Sequence, residues 1–217
     1  MTLFRAAIAI TLTVLLGLTM APRAMAETDW QSPDDIISDV QRYLNELDTA
    51  TAGFEQIYEG GETATGTFYL DRPGRLRFQY DVPNESFIVA DGTFIYFWDD
   101  DLKQVSQTTI GDTLAFVLLQ EDIRLYHGAD DEEAPRVVVS EVQRIDNEVY
   151  LVLELRDDPG RGRLTVIFDA EPLTLSRWVV LDAQGFQTEV RLTDWLENTE
   201  LDRDLFFFSR PGFGGVE

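Results

Sequence analysis

The chain of 217 residues contains no cysteine, a single histidine and few basic residues. Without cysteine there is no disulfide, no thiol nucleophile and no thiolate metal site. The lone histidine, His127, would have to serve any Ser-His-Asp arrangement, and no G-x-S-x-G elbow accompanies it. One histidine also falls short of an ordinary zinc site. Lysine and arginine together number 17 against 40 aspartates and glutamates, for a net charge of −23. That balance excludes nonspecific nucleic-acid binding and disfavours adsorption to anionic lipid headgroups. Lys103 is the only lysine.

The abundant acids do not make a catalytic case. With so many carboxylates, any two fall near each other somewhere, so no acid and base pair stands out. Asp99-Asp100-Asp101 and Asp130-Asp131-Glu132-Glu133 read as solvated turns and lack calcium-loop spacing. The chain is therefore expected to have no catalytic residues, no metal and no cofactor.

Residues 1–26 have the pattern of a secretory signal peptide. Arg5 gives a positive start, Ala6 to Met20 is apolar, and Ala24-Met25-Ala26 is an A-x-A cleavage site. The apolar part is too short to span comfortably, and no later run is long and apolar enough. The expected product is a single domain, residues 27–217, exported and soluble. A bacterial lipoprotein needs a cysteine at its cleavage site, so no acyl anchor is expected.

Ser32-Pro33-Asp34-Asp35 predicts a helix start, with Ser32 as cap, Pro33 in the first turn and acids against the dipole. Ile36, Ile37, Val40, Tyr43, Leu44 and Leu47 then form one apolar stripe, which needs a hydrophobic partner. Strands are expected over 52–58, 63–71, 75–81, 86–90, 93–98 and 102–107, and again over 136–144, 148–156, 162–169, 173–181 and 186–195. Between the two sets lies a second helical segment, capped by Asp112 and carrying Leu114, Phe116, Val117, Leu118 and Leu119, with a short helical piece near 121–126. The apolar phase changes between Leu175 and Trp178, which suggests a bulge. Helices on one face of a large, curved antiparallel sheet of about eleven strands describe the whole.

The clearest pattern is Gly66 to Trp98. Phe68 and Leu70 share a face, as do Leu76, Phe78 and Tyr80, while Thr67, Tyr69, Arg75, Arg77 and Gln79 point away. One side is apolar and one wet. The apolar side is either an ordinary core under the helices or the wall of a cavity, and composition does not choose. Arg72 shares the parity of Leu70 and precedes Pro73. It is either a rim arginine reaching a carboxylate or a five-donor latch for carbonyls at a helix end.

The ordered blocks Gly66 to Tyr80 (GTFYLDRPGRLRFQY), Asp81-Val82-Pro83, Phe87 to Gly92 (FIVADG), Phe94 to Asp99 (FIYFWD) and Leu205 to Gly212 (LFFFSRPG) resemble the LolA family of periplasmic outer-membrane lipoprotein carriers. The resemblance runs across essentially all of residues 27–217. It implies an incomplete β-barrel closed by an α-helical lid over a hydrophobic cavity for lipoprotein acyl chains. It implies triacylated lipoproteins as cargo, received from an inner-membrane ABC-type release complex and passed to an outer-membrane receptor. The carrier would be a monomer in the periplasm. The family's R-P arginine, which bonds the lid, falls at Arg72; its cavity strand falls at Leu76 and Phe78, and its lid at Thr113 to Leu119. On this reading the acyl-binding surface comprises Phe68, Leu70, Leu76, Phe78 and Tyr80, with Ile88, Ile95 and Phe97 from the next strands. Val40, Phe116 and Leu119 would face them from the helices. LFFFSRPG would be the family's closing strand. The acidity is then either an adaptation to a saline medium or a means of keeping a shuttle off both membranes. The rival is a periplasmic lipid-binding or lipoprotein-sensing regulator with the same half-barrel.

Overall fold

The computed structural model of the chain describes residues 32–113, 116–128 and 136–211. The expected signal peptide, Leu114 of the second helical segment and the acidic run from Asp130 lie outside the described residues.

Helix α1 (Pro33–Glu46) starts where its cap dictates. The Ser32 hydroxyl accepts the Asp35 amide at 3.2 Å, and the Asp35 carboxylate accepts the Ser32 amide at 3.2 Å. This is a capping box with aspartate in the place usually held by glutamate. Ile36, Ile37, Val40 and Leu44 are buried along one stripe. The last turn contains no basic residue, so its free carbonyls must find donors elsewhere.

The strands are β1 (Thr49–Tyr58), β2 (Thr63–Asp71), β3 (Arg75–Tyr80), β4 (Phe87–Asp91), β5 (Phe94–Asp99), β6 (Gln104–Thr109), β7 (Val137–Ile145), β8 (Glu148–Leu155), β9 (Gly162–Ala170), β10 (Leu173–Asp182) and β11 (Gln187–Glu197). They form one 11-stranded sheet in the order β6-β5-β4-β3-β2-β1-β11-β10-β9-β8-β7. Every neighbouring pair is antiparallel. The chain walks from the centre to the β6 edge, crosses over, and walks back from the β7 edge. No ladder joins β6 to β7, so the barrel is incomplete. Between Leu175 and Arg177 the register of β10 on β9 shifts, at the change of apolar phase.

The sheet is strongly curved. Phe78 on β3 and Trp178 on β10 lie four strand spacings apart in the sheet order, roughly 19 Å if flat. Their ring centroids are 6.0 Å apart. The inner face and the α1 stripe share one core. Gly66 permits tight packing there: a Cβ would lie 2.7 Å from the Phe54 ring and 2.1 Å from the Gln79 carbonyl oxygen.

Three expectations are corrected. The second helical segment is broken into a 3-10 turn (Ile110–Asp112) and a single turn α2 (Phe116–Leu119), and Asp112 accepts a hydrogen bond from the Thr109 hydroxyl instead of capping a helix. Residues near 121–126 form no helix but an extended strap, because Ile123 and Leu125 bury themselves against α1. The stretch Leu205 to Phe208 is not a strand. A 3-10 turn (Arg203–Phe206), capped by Asp202, lays it over the outer face instead. There Phe87, Val89 and Trp98 form a second small core with Tyr96 and Phe208. The outer side of β4 and β5 is therefore apolar too, and the two-faced reading holds for β2 and β3 only. Among the described residues no helix is long and apolar enough to cross a membrane.

Candidate functional site

Arg72 leaves β2 at the tight turn into β3, where Asp71 faces Arg75. Its backbone amide donates to the Asp48 carbonyl at 2.8 Å, which ties the turn to the end of α1. One terminal nitrogen donates to the carbonyls of Leu44 and Leu47, the latter at 2.9 Å. The other donates to the carbonyls of Gln120 at 2.6 Å and Glu121 at 3.4 Å. The first pair are free carbonyls of the last turn of α1, and the second follow α2. A single guanidinium thus stands where the helix lacks its own cation, and it joins the helix to the crossover segment. Burial pushes Arg72 below the ordinary arginine range, opposed by the charge of Asp48. Its Nε is buried with no hydrogen-bond partner among the described residues. Gly74 adds a second tie: its amide donates to the Leu119 carbonyl at 2.9 Å, from a positive φ of 82° that favours glycine.

The cover over the sheet has two layers held to each other. The Asn45 side chain donates to the Ile123 carbonyl and accepts the Ile123 amide, both at 2.9 Å. The Gln41 side-chain oxygen accepts the Leu125 amide at 2.8 Å. Tyr43 fixes the other side of α1: its hydroxyl donates to Glu197 at 2.7 Å and accepts the Leu175 amide at 3.2 Å. Burial, chiefly, pushes this phenol well above its ordinary value.

Inside the curved sheet, beside the crossover, lies a cavity of about 420 Å³. Phe68, Leu76, Phe78, Ile88 and Ile95 form one wall, and Leu155, Leu164, Trp178, Val180 and Leu181 the other. Thr113 and Leu118 contribute from the crossover, and Asp112, Arg161 and Asp182 supply the polar border. A larger cleft of about 680 Å³ lies on the outer face beside Arg77, Glu85, Asp202 and Asp204, and it is more polar. Among the described residues, no three His, Cys, Asp or Glu side chains gather to hold a metal ion.

Five expected cargo residues, Phe68, Leu76, Phe78, Ile88 and Ile95, line the cavity. Leu70, Val40 and Leu119 are buried in the packed core and do not line it, and Phe116 packs partly against that core. Tyr80 is also in the core, and its hydroxyl donates to Gln56 at 2.7 Å. Phe97 shares the face of Ile95 but lies outside the cavity and is 38% exposed. The whole β8–β10 wall escaped sequence reasoning. Leu164 and Val166 alternate along β9 as an apolar face, but only curvature brings that face opposite β3.

The fold and site define a class: an open, lidded β half-barrel with an apolar interior, its lid pinned by a half-buried arginine. Residues 45–209 match the family model described as "Outer membrane lipoprotein carrier protein LolA". The chain belongs to this family. It is 32% identical over 180 residues to an outer-membrane lipoprotein carrier protein of Legionella pneumophila (strain Lens), covering 79% of this chain and 84% of that protein. The corresponding protein of Alcanivorax borkumensis is 28% identical over 206 residues, covering 91% and 94%. Among solved structures, an uncharacterized conserved protein from Thermus thermophilus is similar at 12% identity and a TM-score of 0.47, covering 83% of this chain and 96% of that one.

Proposed function

We propose that this chain carries lipoproteins across the periplasm by sheltering their acyl chains in the cavity that the crossover borders. The family and the relatives' names support lipoprotein cargo. The observation that carries the mechanism is the Arg72 guanidinium, which bonds α1 to the crossover, and the crossover borders the apolar cavity through Leu118. Receipt from an inner-membrane release complex and delivery to an outer-membrane receptor complete the proposal. The reading requires only binding and release, with no bond made or broken. Residues 1–26 would direct export and residues 27–217 would form the carrier.

Each buried methylene is worth about 0.8 kcal/mol, so one chain of some fifteen methylenes is disfavoured in water by roughly 12 kcal/mol. A shuttle must hide that surface and still give it up. A lid that packs on the empty cavity does both, because cargo entry sacrifices lid contacts and offsets part of the gain. At about 420 Å³ the cavity is near the lower end of ligand sites and suits a single chain. Cargo with three chains would require the lid to lift, and Arg72 would set that cost.

The test is displacement of a hydrophobic fluorophore from the purified protein. An acylated peptide should compete and the same peptide without its acyl group should not. Equal competition by both, or no fluorophore uptake at all, overturns the cavity reading.

A further inference from the structure

The two edges of the open sheet are treated differently. At β7 the register on β8 shifts between Val139 and Glu141, and His127 bridges to Val139. Glu141 and Arg144 add charge to the strand. Bulges, covering segments and charges are the usual defences of an exposed strand edge. Among the described residues β6 has none of these. Its six residues, Gln104-Val105-Ser106-Gln107-Thr108-Thr109, include no charge and no proline, and all six are exposed. It pairs with β5 residue for residue from Phe94–Thr109 to Asp99–Gln104 without a bulge. Among the described residues nothing pairs with its other side. Such an edge offers unpaired amides and carbonyls along roughly 20 Å, a template for one more strand.

The position of this edge identifies its occupant. β6 runs directly into Ile110–Asp112, and Asp112 and Thr113 border the cavity. Ile95, opposite Thr108 in the ladder, lines the cavity wall. A peptide on β6 would therefore have one end at the cavity border, beside the Thr109 end of the strand. We propose that β6 binds the extended peptide that follows the acylated N-terminus of the cargo, adding it as a twelfth strand. This rests on the cavity holding the acyl chain. With the acylated end at Thr109, the cargo must run toward Gln104, opposite to β6. That makes the new pair antiparallel, like every pair already in the sheet. Recognition through backbone groups accepts many sequences, which suits a carrier of varied cargo.

The experiment compares three ligands on the full chain: a lipohexapeptide, its acyl chain as a simple amide, and the lipohexapeptide with alternate backbone nitrogens methylated. Affinity is read by fluorophore displacement and protection by amide hydrogen exchange. The lipohexapeptide is expected to bind about tenfold tighter than the acyl amide, the worth of one net backbone hydrogen bond. It should slow exchange in 104–109, and methylation on the paired edge should return affinity to that of the amide. Equal affinity of lipohexapeptide and amide, with no protection of β6, overturns the proposal and leaves the cavity reading intact. Failure of every acylated ligand to displace the fluorophore overturns both. Protection of β6 without ligand that grows with protein concentration assigns the edge to a second copy and also overturns it.

Discussion

Arg72 illustrates how one side chain can couple a helix end to the crossover segment. Only a planar, multi-donor cation reaches carbonyls on two separate backbone pieces, and lysine offers a single compact point of charge. Arg72→Leu is expected to leave the sheet folded, since the aliphatic part still fills its site, but to free the lid and impair handover of cargo. Circular dichroism checks the fold, and transfer of an acylated peptide to vesicles checks delivery. Wild-type delivery by the variant would remove the latch. Arg72→Lys should fall between the two, because it can satisfy one lid piece but not both. Charge elsewhere has a different role. The Arg177 guanidinium holds the Glu148 carboxyl below its ordinary range, with further help from Tyr150. A carboxyl depressed in the folded state stabilises above its unfolded pKa and loses that contribution as pH falls through the folded value. Stability carried by this pair should therefore be intact at pH 7 and decline below about pH 4.3. In Glu148→Gln the midpoint of thermal unfolding should depend less on pH over that acid range. An unchanged pH profile would show that the pair contributes nothing.

At the scale of elements, the lid behaves as a laminate of α1 and the strap through Ile123 and Leu125, joined by Asn45 and Gln41. Asn45→Ala leaves both the amide and carbonyl of Ile123 without their partner, at a cost of about 1–3 kcal/mol for groups screened from water. The strap should then exchange its amides faster over 120–125 while β8 and β9 remain protected. Uniform loss of protection would instead mean that the strap belongs to the global core. This arrangement also explains what sequence could reveal. α1 was legible because Ser32, Pro33 and Asp35 are local instructions. The strands were legible within a few residues because alternation and turn residues are local too. The strap and the single-turn α2 were not, since four residues cannot hold a helix by themselves and tertiary contacts decide their shape. The cavity wall from Leu155 to Leu181 shows the same limit: the residues announce an apolar face, but the bend that sets it opposite Phe78 is a property of eleven strands together. Phe208 reads as the end of an apolar strand until Tyr96, stacked on it at 4.7 Å, shows that it covers the outer side of β5.

For the whole molecule the dominant quantity is the excess of carboxylates, 40 against 17 basic residues. Surface ion pairs such as Arg42–Asp39 and Arg124–Asp122 engage some of them, but exposed pairs of this kind are each worth about 0–1 kcal/mol. Most acids have no basic counterpart, so repulsion spread over the surface outweighs local attraction. Salt weakens both, with a screening length of about 10 Å at 0.1 M, but it relieves more repulsion than it removes attraction here. Thermal stability should therefore rise as sodium chloride is increased from low millimolar to about 0.5 M, the reverse of a fold held by surface ion pairs. A melting temperature that falls with salt would mean that the paired arginines, not the unpaired acids, dominate. The same field bears on the carrier reading. If the cavity holds the acyl chain as proposed, an anionic surface would keep the rest of the protein off anionic headgroups, so adsorption to anionic vesicles should remain negligible in Arg72→Leu even though its lid is free. Adsorption that appears in the variant would show that the lid, and not the charge, keeps the closed protein away from membranes.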